Sequence, residues 1–215
     1  MTEDGKRMTE GEVLDIGNQI GLIHGRLAEC YSAFMLFKEI ERTRDASPFL
    51  IDPNTGYGDF WREVRHCALS KTILDIGALV DPDHRRDSAS LPSLYDLRAS
   101  IHGVHCIEAK QYIAEVRATW GNYRHKLIAH TDRRRNELII EFANEGFTVE
   151  RMEEQINKLG FAFTVLHATF CGQTPPRYEE GLPKDAHFVA AGEKVRFDTR
   201  SFLDAISHHL PQMVG

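Results

Sequence analysis

Apolar residues recur every three or four positions along most of this chain, and the first such series is the longest. It starts behind Thr9 and Glu12, which are spaced as in a capping box, and it continues to about Arg44. The apolar positions of the series are Val13, Ile16, Ile20, Ile23, Leu27, Cys30, Phe34 and Phe37. This spacing places them on one face and predicts a long amphipathic helix.

Glycines lie at regular intervals within this first predicted helix. Gly11, Gly17, Gly21 and Gly25 each weaken a helix by about 1 kcal/mol relative to alanine. In an alternative interpretation, the ladder formed by Gly17, Gly21 and Gly25 allows another helix to approach closely. The sequence is compatible with either interpretation.

The same spacing predicts four further helices. They cover residues 59–80, 90–101, 107–131 and 148–170. Asp59, Ser90 and Thr148 are expected to cap their first turns, and Pro92 suits a first turn because its missing amide does no harm there. The second helix is expected to stop before Pro82, since proline disfavours the helical conformation in the residue before it.

The C-terminal part of the chain has a different composition. Residues 172–198 hold three prolines and three glycines, which predicts an irregular arm. A small hairpin would pair Phe188–Val189 with Val195–Phe197. Asp198 is then expected to cap a short helix that ends before Pro211.

The predicted architecture is all-α. An antiparallel bundle of four to five helices would span residues 9–172, followed by a loop-rich C-terminal extension over residues 173–215. The apolar patch Leu138–Ile140 fits either a short strand or a helix end.

Composition restricts the class of protein. Of the 215 residues, 42% are apolar, which is enough for a buried core. The net charge of −6 argues against a surface broadly coated in basic residues, so contact with RNA would have to come from a local basic patch. No signal peptide and no run of about 18 apolar residues is present in the sequence, so we expect no membrane span and a cytoplasmic location.

No cofactor or metal motif stands out. The four cysteines are far apart and lie in apolar contexts, so we expect buried free thiols in a reducing compartment. His102, His105 and Cys106 form a short cluster, but Gly103 interrupts it and no partner ligands are evident. We therefore expect neither a metal nor a cofactor.

The stretch that carries candidate chemistry is Tyr-Arg-His-Lys-Leu-Ile-Ala-His-Thr-Asp at residues 123–132. At 100° per residue, Arg124 and His130 flank the apolar stripe of the predicted helix, about 120° apart and about 9 Å apart along its axis. An arginine can clamp a phosphate, and a histidine can move a proton to or from a ribose 2′-hydroxyl. In the plainer alternative, both residues simply border a packed helix face.

The same stretch resembles the arginine–histidine signature of the HEPN superfamily, and most of all its AbiU-type branch, which is associated with abortive infection. Val80-Asp81-Pro82 and the segment Ser90–Leu94 also match that branch. The resemblance extends over about residues 10–170 in layout. It implies a helical bundle, a homodimer formed through the motif helix, and metal-independent endoribonuclease activity in phage defence or a toxin–antitoxin system with a cognate antitoxin.

The resemblance makes Arg124 the phosphate clamp and His130 the proton-transfer residue. Lys126 and the run Arg133, Arg134 and Arg135 would contact RNA phosphates, although such a run is usually a solvated helix end. His125 and Asp132 would support the site. His125 departs from the asparagine or small polar residue often found there, so the sequence also fits an inactive module that binds RNA, nucleotide or protein, or a purely structural dimer.

Overall fold

The computed structural model describes residues 9–46, 58–82, 89–97, 104–129, 148–178 and 186–209. Within the helices, the side chains of residues 12–13, 45–46, 96–97, 104–106, 121–129 and 207–209 lie outside this description. These ranges hold six helices and no strand: α1 (Glu10–Ala46), α2 (Gly58–Leu79), α3 (Leu91–Leu97), α4 (Val104–Ala129), α5 (Val149–Phe170) and α6 (His187–His209). The prediction of an all-α protein is confirmed.

Two of the predicted caps, Ser90 and Thr148, are observed, whereas the prediction for Asp59 is wrong because α2 begins at Gly58 and Asp59 lies inside its first turn. The backbone N–H of Arg151 donates to Thr148 Oγ1 at 3.1 Å, and that of Ser93 donates to Ser90 Oγ at 3.3 Å. α1 begins directly after Thr9, and α2 ends at Leu79, shortly before Pro82. Local capping chemistry therefore determines the starts of α3 and α5.

The predictions of a hairpin over residues 188–197 and of a short helix capped by Asp198 are both wrong, because one helix, α6, runs unbroken from His187 to His209 and contains Asp198 in its interior. Phe188, Gly192 and Leu203 are buried at helical spacing, which marks one continuous packed face. Phe197 obscures this period because its ring is 71% exposed on the opposite side. Within the predicted arm, residues 172–177 are non-helical, and residues 179–185 lie outside the described residues.

The chain divides into two compact units, and α1 and α2 contribute to both. The first unit comprises Met1–Leu27 and Ile73–Pro183, and the second comprises Ala28–Thr72 and Lys184–Gly215. The first unit therefore contains α3, α4 and α5, with the start of α1 and the end of α2. The second unit is built from the remainder of α1 and α2 together with α6.

The second unit has a small apolar core and one buried carboxylate. Ile40, Trp61 and Leu203 are buried together, and the Phe188 ring lies 5.4 Å from that of Tyr31. These contacts attach α6 to α1 and α2.

Gly192 lies where α6 packs closely on α1. A Cβ at this position would be 3.1 Å from Tyr31 Cβ and 3.3 Å from the Tyr31 carbonyl carbon, which is tighter than ordinary packing. Gly25, in contrast, has nothing within 4 Å of such a Cβ among the described residues. Gly192 is therefore a packing residue, although its type suggested a helix break.

Gly192→Val is expected to destabilise the protein by about 1–3 kcal/mol, because the added atoms overlap the Tyr31 backbone. The matched variant Gly25→Val makes the same chemical change on an exposed part of α1 and is expected to be neutral or slightly stabilising. Urea unfolding followed by circular dichroism measures both. Equal unfolding midpoints for the two variants would contradict the close contact at Gly192.

Candidate functional site

The motif lies at the end of α4. This helix is continuous from Val104 to Ala129, so Arg124, His125 and Lys126 lie in its last two turns. Their side chains lie outside the described residues, as do His130, Asp132, Arg133, Arg134 and Arg135. The predicted convergence of Arg124 and His130 on one groove thus stays a prediction.

The motif helix packs on α5 in the antiparallel direction. Glu115 pairs with Lys158, whereas the earlier residue Tyr112 contacts the later residue Phe161, with ring centroids 5.9 Å apart. When this antiparallel register is extended along both helices, the backbone of Arg124 lies beside the first turn of α5.

The first turn of α5 begins at Thr148, whose hydroxyl satisfies one of the free amides there. The partial positive charge at a helix N-terminus favours a nearby anion, such as a phosphate. Glu150 lies in the same turn and already supplies negative charge. A phosphate bound at this level would therefore need the cationic side chains of the motif as well.

A nearly buried lysine fixes the register of α4 on α5. Lys158 Nζ lies 2.5 Å from Glu115 Oε1 and 2.8 Å from Glu154 Oε1, and the lysine side chain is 9% exposed. Burial acts to lower the pKa of Lys158, but hydrogen bonds to the two carboxylates raise it above its ordinary value. The hydrogen bond from Lys158 lowers the pKa of Glu115. Lys158 and Glu115 are therefore both charged at neutral pH.

An aromatic cluster lies beside this lysine. The Tyr112 hydroxyl donates to Glu108 Oε1 at 2.7 Å, and the Tyr112 ring centroid lies 4.7 Å from that of Tyr178. Burial, with the Glu108 carboxylate, raises the pKa of Tyr112, and burial raises the pKa of Tyr178. Both phenols stay protonated at neutral pH, so they act as packing and hydrogen-bonding groups and not as general bases.

The sequence interpretation missed this cluster of Lys158, Glu115, Tyr112 and Tyr178. Two members lie on α4, one lies on α5, and Tyr178 follows α5 in the chain, so no short sequence motif contains them all. The only sequence signal is a lysine among the apolar positions of α5. Its carboxylate partner follows from the register between two helices, which periodicity does not determine.

The apolar stripe before the motif is confirmed as core. Val116 and Trp120 are fully buried, and Trp120 lies one turn before Arg124. Trp61 is also buried, in the second unit. Both tryptophans are therefore core residues and are not exposed for stacking on a base.

Lys158→Met is expected to lower stability by about 1 kcal/mol, because methionine keeps most of the buried volume while the ionic hydrogen bonds are lost. The loss stays moderate because the side chains of Glu115 and Glu154 are about half exposed and are rehydrated. Lys194→Met provides the matched control, since Lys194 is 76% exposed in its pair with Asp198. Thermal unfolding measures both, and an unchanged midpoint for Lys158→Met would show that the network does not stabilise the pair of helices.

The three described cysteines differ in their exposure. Cys30 is buried as expected, but the prediction is wrong for Cys67 and Cys171, which are exposed. Cys67 lies on the outer side of α2, and Cys171 follows the last turn of α5. No group of three histidine, cysteine, aspartate or glutamate side chains suited to a metal occurs among the described residues. His102 and the side chains of His105 and Cys106 lie outside them.

No helix in the described ranges is both long and apolar enough to cross a membrane. Comparison with family models, with curated proteins and with solved structures finds no match to this chain. The resemblance to the HEPN superfamily therefore rests on the sequence of residues 80–82, 90–94 and 123–132.

Proposed function

We propose that this chain is a metal-independent endoribonuclease of the HEPN type, acting in the bacterial cytoplasm in phage defence or a toxin–antitoxin system. One observation carries the proposal: Arg124 and His130 stand six residues apart, with Ala129 before the histidine and Asp132 after it. The all-α fold and the continuous helix α4 are compatible with the proposal. The proposed partners are RNA, a second copy bound through α4, and a cognate antitoxin.

The chemistry requires one proton acceptor, one proton donor and one cation. The ribose 2′-oxygen attacks the adjacent phosphorus while the bond to the 5′-oxygen breaks, which leaves a 2′,3′-cyclic phosphate. His130 removes the proton of the 2′-hydroxyl, and His130 of the second copy protonates the departing 5′-oxygen. Arg124 donates two parallel hydrogen bonds to the phosphate and stabilises the added negative charge.

RNA must be held by a local patch because the chain as a whole carries a net charge of −6. Lys126 with Arg133, Arg134 and Arg135 provides four cationic residues close to the motif. Contacts of this kind release counterions, so RNA affinity is expected to fall steeply with salt. His125 and Asp132 orient the two principal residues in this proposal.

The activity is tested with purified protein and a labelled single-stranded RNA in excess EDTA. Cleavage with 2′,3′-cyclic phosphate or 3′-phosphate ends is the expected result. Products with 5′-phosphate and 3′-hydroxyl ends, or cleavage that EDTA abolishes, would contradict the proposal, because both indicate metal-assisted attack by water.

A second candidate is an inactive module that binds RNA, nucleotide or protein through the same surface. The specific observation in its favour is His125, which stands where the family often has asparagine or a small polar residue. Salt-dependent RNA binding without any product would support it. Binding that is independent of Lys126, Arg133, Arg134 and Arg135 would count against both candidates.

A further inference from the structure

The C-terminal end of α5 carries a histidine and a cysteine whose side chains meet. Cys171 Sγ lies 3.8 Å from His167 Nε2, and both residues are exposed. Two ligands four residues apart on a helix can hold one metal ion, as the two histidines of an H-E-x-x-H zinc motif do. The expectation of no metal, which rested on the spacing between cysteines and on the cluster near His102, did not cover this pair.

The separation of the two atoms suits zinc. Zinc binds a cysteine sulfur at about 2.3 Å and a histidine nitrogen at about 2.0–2.1 Å. With those bond lengths, an ion bound to two atoms 3.8 Å apart has a sulfur–zinc–nitrogen angle of about 120°, near the tetrahedral geometry that zinc prefers. An ion therefore fits between Sγ and Nε2 without a change in their separation.

Ring packing orients the imidazole of His167. Its centroid lies 6.0 Å from that of Phe163, with 25° between the ring planes, and Phe163 is buried. The His24 ring on α1 stacks on the same phenylalanine at 5.8 Å. A ligand that is already held by a buried neighbour loses little conformational freedom on binding, which favours affinity.

The hydrogen bonds of the helix end hold the backbone of Cys171. Its N–H donates to the His167 carbonyl oxygen at 2.9 Å, and the N–H of Gln173 donates to the Ala168 carbonyl oxygen at 2.8 Å. Gly172, between them, has a φ of 70°, which is typical of the glycine that ends a helix. The partial negative charge at the C-terminal end of a helix favours a bound cation.

We propose that His167 and Cys171 form a binding site for zinc or a chemically similar divalent transition-metal ion, with water in the remaining positions. Sγ binds as a thiolate, its proton passing to solvent, and Nε2 binds through its lone pair. Mg²⁺ and Ca²⁺ prefer oxygen ligands, so this pair selects against them. Two protein ligands are fewer than the four of a closed structural site, so binding is expected to be reversible.

The metal site does not depend on the proposed RNA cleavage. His167 lies about 27 Å along the helix axis from Val149, in the first turn of α5, beside which the backbone of Arg124 lies. Removal of the ion by EDTA is therefore expected to leave cleavage unchanged. A chain without nuclease activity should still bind the metal, so either proposal can fail alone.

Titration of the reduced full chain with Co²⁺ tests the proposal, because a Co²⁺–thiolate bond gives a charge-transfer absorption band that oxygen and nitrogen ligands do not give. The band is expected to appear and to saturate at about one Co²⁺ per chain. Zn²⁺ should displace it, whereas Mg²⁺ should not.

Variants assign the band to the two residues. Cys171→Ser is expected to abolish it, and His167→Ala is expected to weaken Co²⁺ binding at least tenfold. Cys67→Ser is the matched control and should keep the band, because Cys67 is also exposed but has Glu63 and Lys71 four positions away instead of a histidine. Circular dichroism should show all three variants folded, since each change is at an exposed position.

Three outcomes would overturn the proposal. The first is the absence of a thiolate band at millimolar Co²⁺. The second is a band that Cys171→Ser leaves intact, because the ion would then bind another cysteine. The third is Co²⁺ binding that His167→Ala leaves unchanged, because the cysteine would then act without the histidine.

Discussion

Arg124→Ala and His130→Ala are each expected to reduce RNA cleavage by about 100-fold or more. Loss of the guanidinium removes the charge that stabilises the transition state, which is typically worth about 10²–10³ in rate. Loss of the imidazole removes general acid–base catalysis, which is typically worth about 10²–10⁴. The measurement is the initial rate on a fluorescent single-stranded RNA in EDTA, with protein at saturating concentration.

Matched substitutions separate a catalytic defect from a folding defect. Arg117→Ala alters an exposed arginine on the same helix, and His167→Ala alters an exposed histidine on α5, so both are expected to retain cleavage. Arg124→Lys keeps the charge but not the planar fork and should recover only part of the rate. Rates unchanged in Arg124→Ala and His130→Ala would remove these residues from the mechanism.

Glu39→Gln is expected to destabilise the protein by about 2 kcal/mol, because Glu39 accepts charge-assisted hydrogen bonds while nearly inaccessible to water. Arg200 on α6 donates through Nη2 at 2.9 Å and through Nε at 3.2 Å, and Arg42 donates through Nε at 2.7 Å. The Glu39 side chain is only 3% exposed. The substitution leaves two arginines facing a neutral amide and weakens the attachment of α6 to α1.

The effect of Glu39→Gln should depend on pH in a defined direction. Burial acts to raise the pKa of Glu39, but hydrogen bonds from Arg200 and Arg42 outweigh it and hold the pKa below its ordinary value of 4.5. The stabilisation by the carboxylate is therefore complete above about pH 4.5 and is lost as the pH falls through the lowered pKa. The difference between wild type and Glu39→Gln should be constant near neutrality and should shrink in acid.

Asp198→Asn is the control for this experiment. Asp198 pairs with Lys194 at 2.5 Å on the same helix, but both side chains are more than half exposed, so the expected change is below about 0.5 kcal/mol. Urea unfolding between pH 3 and pH 7 compares the three proteins. A Glu39→Gln difference that persists unchanged in acid would show that ionisation of Glu39 is not what stabilises the unit.

Several features of the fold could be predicted from local chemistry. The caps at Ser90 and Thr148 and the end of α2 before Pro82 all follow from interactions within one turn. The buried series on α5 follows from its regular period, and Met152, Ile156, Leu159, Phe163 and Leu166 are all buried. These signals involve neighbours in the chain, so no knowledge of tertiary packing was needed.

α6 shows where such prediction fails. Gly192 and the short segments Phe188–Val189 and Val195–Phe197 have the composition of a turn between strands. The helix forms because Phe188, Gly192 and Leu203 pack on one face against the second half of α1 and the start of α2. Packing outweighs intrinsic propensity here, and the required space at Gly192 is set by Tyr31, which is far away in the chain.

For the candidate site, the sequence alone determined the residue types and their spacing: an arginine and a histidine six positions apart at the end of a helix. It also determined the periods of five of the six described helices and the caps at Ser90 and Thr148, because those interactions are local. Only the tertiary structure decided that α4 lies antiparallel on α5, that Lys158 is held between Glu115 and Glu154, and that Glu39 binds Arg200. Contacts between distant helices depend on register and burial, which the period of one helix leaves open.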